Sequence, residues 1–166
     1  MARKNDFTAE EWELLRTAPY LTALAVAVAG SSGIFGSLKE AMAPAGAIIE
    51  AARGDNGLLR DICRQDEMKA AQTSIKGLVK GKEIEALRWQ VKEAALEKVG
   101  SAIRLLAARD ADDDARAYRH FVTEIANRVA KAAKEGGFLG FGGERVSENE
   151  RALLADLAGI IGSAEA

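Results

Sequence analysis

Few residue types in this chain are suited to chemistry, and the carboxylates are the most numerous of them: 25 Asp and Glu stand against 23 Lys and Arg. General acid–base catalysis needs two such groups held together with their pKa values pushed apart. Glu11, Asp61 and Glu124 are the scattered carboxylates from which an acid and a base would be drawn. An enzyme of that kind requires a polar, enclosed cleft holding at least two of them. The one histidine, His120, shares a helix side with Glu124, Asn127 and Lys131, opposite Tyr118 and Val122. That position predicts a solvated surface residue, and no serine or cysteine stands at a spacing that would make it the base of a nucleophile. The one cysteine, Cys63, follows Leu58-Leu59-Arg60-Asp61-Ile62. The apolar neighbours predict a buried structural thiol and not a nucleophile. A lone cysteine forms no disulfide within the chain and fits a reducing compartment.

Three ligand motifs fail on required positions. Asp110, Asp112 and Asp114 stand at places one, three and five of a calcium loop, but place six is Ala115 where glycine is needed and place twelve is Phe121 where glutamate is needed. The run reads instead as a charged turn that caps a helix. A ferritin-like di-iron site takes two Glu-x-x-His pairs, and one histidine does not supply them. The stretch from Gly30 to Ser37 resembles a phosphate loop only loosely: it has the wrong glycine spacing, no lysine before the serine, and a helix before it where a strand belongs. No metal, no cofactor and no catalytic residue are therefore expected. A net charge of −2 gives no footprint for nucleic acid.

The elements that would position these residues are helices. The chain of 166 residues is long enough for one domain with a proper core, and residues 1–166 are expected to form it. Alanine, the best helix former, occurs 33 times and proline twice. No run alternates apolar and polar residues as a strand does. Thr8 and Glu11 form a capping box at the first helix, with Phe7 and Trp12 placed as a hydrophobic staple. Pro19 is expected to end or kink that helix or to open the next. Residues 20–29, Tyr-Leu-Thr-Ala-Leu-Ala-Val-Ala-Val-Ala, are apolar on nearly all sides, which places them in the centre of a fold or at an interface. They follow a mixture of acids and bases, unlike the basic start of a secretory signal, and are too few to span a bilayer.

Further helices are expected from Ser37 to about Arg53, from Leu58 to Val79 with a weak point near Gln65, from Glu83 to Arg109, after Asp114, and from Glu148 to about Ile161. The helix after Glu83 has two apolar stripes, one through Ile84, Leu87, Val91, Ala94, Val99, Ala102 and Leu106, the other Trp89, Leu96 and Ile103. Together they predict a face covered by two neighbours. The helix after Asp114 carries Ala115, Tyr118, Val122, Ile125, Val129 and Ala132 as a regular core stripe. The fold class is all-α, a bundle of seven or eight helices.

Two passages repeat one pattern. Ser32-Gly33 is followed by Ser37 and Glu40, and Gly142-Gly143 by Ser147 and Glu150. In each, glycine ends a helix, serine caps the next, and the glutamate reaches back to the cap amide. Bulky apolar residues crowd both corners: Ile34 and Phe35 in one, Phe138, Leu139 and Phe141 in the other. They are expected to plug the angle between helices. Exposed on glycine hinges, the same residues would instead contact a membrane surface or the groove of a partner.

These two glycine-to-serine segments resemble the TerB-like proteins, an all-helical bacterial family named for tellurite resistance, in which helices pair around an Asp-Gly turn followed by Ser or Thr and Glu. The resemblance implies a helical fold. The family's acidic residue before the glycine is here Ser32 in one copy and Gly142 in the other, so its metal-binding role is not carried over. The sequence thus predicts a cytoplasmic, non-catalytic interaction module that binds a protein partner or a second copy of itself, self-association being expected through Pro19 to Ala29. A membrane-docking protein and an enzyme of dispersed carboxylates are the rival readings.

Overall fold

The computed structural model describes residues 1–30, 45–80, 84–109, 111–135 and 148–163. Among them are seven α-helices and no strand: α1 (Ala9–Gly30), α2 (Ala45–Arg53), α3 (Gly57–Ile62), α4 (Gln65–Val79), α5 (Ile84–Ala107), α6 (Asp112–Glu135) and α7 (Glu148–Ser163), with one turn of 3-10 helix at Lys4–Asp6 ahead of α1. The protein is an all-α bundle.

α1 starts where its signals place it. The Thr8 N–H donates to Glu11 Oε2 at 2.8 Å and the Glu11 N–H to Thr8 Oγ1 at 3.2 Å, so the capping box closes in both directions. The Phe7 and Trp12 rings lie 6.2 Å apart across the same cap. Pro19, however, neither ends the helix nor starts another. It lies inside a continuous 22-residue α1. A proline has no N–H to give and leaves the carbonyl four residues earlier without its helical partner. Here that carbonyl belongs to Leu15, and the Tyr118 hydroxyl of α6 donates to it at 2.9 Å. A tertiary contact thus stands in for the missing helical bond, and α1 continues through the proline.

The apolar second half of α1 is the axis of the bundle. Leu15, Ala18, Leu21, Leu24, Ala25, Val26 and Val28 are all buried, because α4, α5, α6 and α7 each pack against α1. Of the two places open to a helix without a polar face, the centre of the fold is the one it takes. Most of the surface expected to mediate self-association is therefore internal, with Ala27 and Ala29 half-buried. Small side chains at Ala18, Ala23 and Ala25 let neighbouring helices approach closely, which is the structural use of an alanine-rich composition.

The expected weak point near Gln65 is a break. Asn56 caps α3, its side chain accepting from the Leu59 N–H at 3.0 Å, and the chain turns at Cys63 and Arg64 before α4 begins. On α5 the stripe from Leu87 through Val91, Val99, Ala102 and Leu106 is buried, and on α6 so are Ala115, Tyr118, Val122, Ile125 and Val129. Buried side chains from all seven helices form one cluster.

Candidate functional site

The carboxylates proposed for an acid–base pair do not meet. Glu11 is held by Arg109, whose Nη2 lies 2.8 and 2.7 Å from its two oxygens. That guanidinium, with the Thr8 N–H, keeps the Glu11 carboxyl below its ordinary range. Asp61 faces Arg3, with Nε and Nη2 at 2.8 and 2.9 Å. Glu124 accepts from Arg128 Nε at 3.2 Å, one turn along α6, and Arg128 also reaches Glu50 on α2. Each carboxylate has its own guanidinium, and none of the three lines the cleft beside Trp89, the one beside Gly100 and Ile160 or the one beside Met1 and Arg116. The arrangement gives structural ion pairs where shared proton transfer would need neighbouring carboxyls. His120 is exposed on α6, as its position predicts. Cys63 is buried, and burial pushes its thiol up to about 12.

Sequence reasoning missed the charged groups that matter most to the structure. Asp114, expected in a charged turn that caps a helix, is buried, as are Asp61 and Glu67. Buried carboxylates need partners, and the residues just before α1 supply them. The Ala2 N–H donates to Asp114 Oδ2 at 2.6 Å, and Asn56 Nδ2 to its other oxygen at 2.8 Å. Besides Arg3, Asp61 accepts from the Lys4 N–H at 3.2 Å. Hydrogen bonding to Arg3 outweighs burial and holds the Asp61 carboxyl below its usual value. Glu67 of α4 gathers Lys4 Nζ at 2.5 Å, Trp12 Nε1 at 2.8 Å and Arg16 Nη1 at 3.0 Å. Burial there raises its pKa, but the three donors together win and leave it lowered. The only hint in the sequence is that Arg3 and Lys4 stand among acidic neighbours.

The capping residues Ser37, Glu40 and Ser147 and the bulky residues Ile34, Phe35, Phe138, Leu139 and Phe141 lie outside the described residues. The segments that carry the TerB-like resemblance lie there too, Glu150 excepted, which is buried in the first turn of α7. Among the described residues no group of three or more His, Cys, Asp or Glu is arranged to hold a metal ion. No described helix is long and apolar enough to cross a membrane.

What the fold does assemble is a cleft of about 230 Å³ between α1, α5 and α7. Ala25, Val28 and Ala29 supply its α1 side, Arg88, Trp89 and Lys92 its α5 side, and Asn149, Ala152 and Leu153 its α7 side. Val28 and Leu153 are buried and make an apolar floor. Arg88 Nε donates to the Val28 carbonyl at 3.0 Å, serving one of the orphan carbonyls at the end of α1. Lys92 Nζ pairs with Asp156 Oδ2 at 2.7 Å and fastens α5 to α7. Trp89 is 66% exposed. The stripe of Trp89, Leu96 and Ile103 was expected to be covered along its length. Ile103 is fully buried and Leu96 partly, but the cover gives out at Trp89. The spacing that revealed the stripe carries no information on how far α7 extends over it. No protein-family model, no curated protein and no solved structure matches the chain.

Proposed function

We propose that the protein is a non-catalytic helical interaction module that receives an apolar side chain of a protein partner in the cleft beside Trp89. One observation carries this reading: a large aromatic side chain stands in solvent at the mouth of an apolar cleft ringed by Arg88, Lys92 and Asn149. An apolar centre within a polar rim is the anatomy of protein interfaces. Tryptophan is the residue most enriched among those that dominate binding energy. Trp89 is exposed and so open to a partner, whereas Trp12 is buried and hydrogen-bonded to Glu67.

The test is site-specific. A photoreactive phenylalanine analogue at Trp89 captures the partner in cells, and the captured protein is then purified and titrated against the wild-type chain. Trp89→Ala is expected to weaken that complex by about 2 kcal/mol, roughly thirtyfold, the loss typical of a central aromatic anchor. Equal affinity of the wild type and Trp89→Ala would overturn the assignment of the cleft. Light scattering across a concentration series distinguishes the second-copy case, in which Trp89→Ala converts a dimer to a monomer.

A further inference from the structure

Three successive residues, Ala2, Arg3 and Lys4, each bind a carboxylate on a different helix: Asp114 on α6, Asp61 on α3 and Glu67 on α4. We infer that residues 2–4 are a releasable latch that fastens the α3–α4 turn, in which the buried Cys63 lies.

The two sides of the latch differ in their surroundings. The Arg3 and Lys4 side chains are 58% and 48% exposed, while those of Asp61 and Glu67 are 10% and 3% exposed. The cations therefore return to water at little cost when the strap lifts. The carboxylates do not, because a buried charge without its partner is strongly unfavourable. The hydrogen bonds to the Asp61 carboxylate come from Arg3 and Lys4. Release strips it of them and leaves α3 without its tie to the strap. Glu67 keeps Arg16 and Trp12, so the end of α4 stays anchored to α1 and the motion concentrates between Asp61 and Glu67. Cys63 and Arg64 form the turn in that interval. The strap lies close against α3. A Cβ on Gly57 would fall 2.9 Å from Arg3 Cδ and 3.6 Å from the Ala2 carbonyl, so glycine there leaves room for it to cross. Arg109 holds the strap's far end, donating to the Asp6 carbonyl at 2.7 Å and standing 4.8 Å from the Phe7 ring centre. Residues 2–4 can thus lift about a fixed point.

Cys63 is the chain's one cysteine, and its alkylation by N-ethylmaleimide reads the opening directly. The Arg3→Ala/Lys4→Ala variant is expected to react about tenfold faster than wild type under native conditions, as local opening without global unfolding does. Val99→Ala, in the buried stripe of α5, serves as the comparison of equal global destabilisation and is expected to react much more slowly than the latch variant. In the wild type the rate is expected to climb between low salt and about 1 M salt, where the screening length shrinks to about 3 Å. A latch variant reacting at the wild-type rate, or no faster than Val99→Ala at matched unfolding free energy, would overturn the inference. Should the latch variant not fold, a wild-type rate that is flat with salt overturns it equally.

Discussion

The Tyr118 hydroxyl donates to the Leu15 carbonyl at 2.9 Å, at the one place in α1 where Pro19 has no N–H to offer. Both residues are fully buried, so this carbonyl has no water to turn to. Burial also pushes the Tyr118 phenol upward, which keeps it protonated as a donor. Tyr118→Phe should therefore cost about 1–3 kcal/mol, the penalty for an orphaned buried carbonyl. Pro19→Ala restores a helical donor to Leu15. The double variant should then lose less than the sum of the two single losses, with a coupling of about 1 kcal/mol. Urea unfolding of the four proteins measures it, and strict additivity would show that the hydroxyl does not replace the helical bond.

Glu67 is the second structural keystone. Removing it leaves Trp12 Nε1 unpartnered inside the protein and takes a carboxylate from both Arg16 and Lys4. Glu67→Ala should lower the unfolding free energy by about 3 kcal/mol, a value typical of a broken buried ion pair. Glu67→Gln, which keeps an acceptor for the indole, should cost clearly less. Equal losses for the two would mean that the charge of the carboxylate matters there and its hydrogen bond from the indole does not.

Stability should fall on the acid side. Asp61 and Glu67 are held below their ordinary values in the folded protein, while in the unfolded chain they titrate at about 4. The unfolded state therefore binds more protons in that range, so their contribution is complete above about pH 4 to 5 and is lost as pH drops through the folded values. Unfolding free energy measured from neutral pH downward should decline below about pH 4, and Asp61→Asn should make that decline shallower. A variant with the wild-type acid slope would show that Asp61 is not a source of it.

The two tryptophans should report opposite environments. Trp89 is exposed and Trp12 is buried. Iodide should quench the emission of Trp89 and leave that of Trp12 largely intact, so the Trp89→Phe variant should show a blue-shifted, protected spectrum. Its unfolding free energy should stay within about 0.5 kcal/mol of wild type, as at other surface positions. A larger loss would place Trp89 in the packing of the bundle and remove it as a free anchor.

Features that depend on neighbours in the chain were readable without coordinates. The all-α class followed from alanine content and stripes of period 3.6. The Thr8–Glu11 box and the Phe7–Trp12 staple formed as expected because their partners are three and five residues apart, a distance that helix geometry sets by itself. The exposed His120 followed from its helix face, and the buried Cys63 from its apolar neighbours. The decisions left to tertiary structure concern pairs far apart in the chain. Pro19 reads as the end, a kink or the start of a helix until Tyr118, from another helix, supplies the donor that proline lacks. Asp114 reads as a charged helix cap until Ala2 and Asn56 are found beside it in the packed bundle, and Trp89 reads as core until it is found exposed. Local patterns report what a residue prefers, whereas burial and partnership depend on which distant groups the packed bundle brings within a few ångströms.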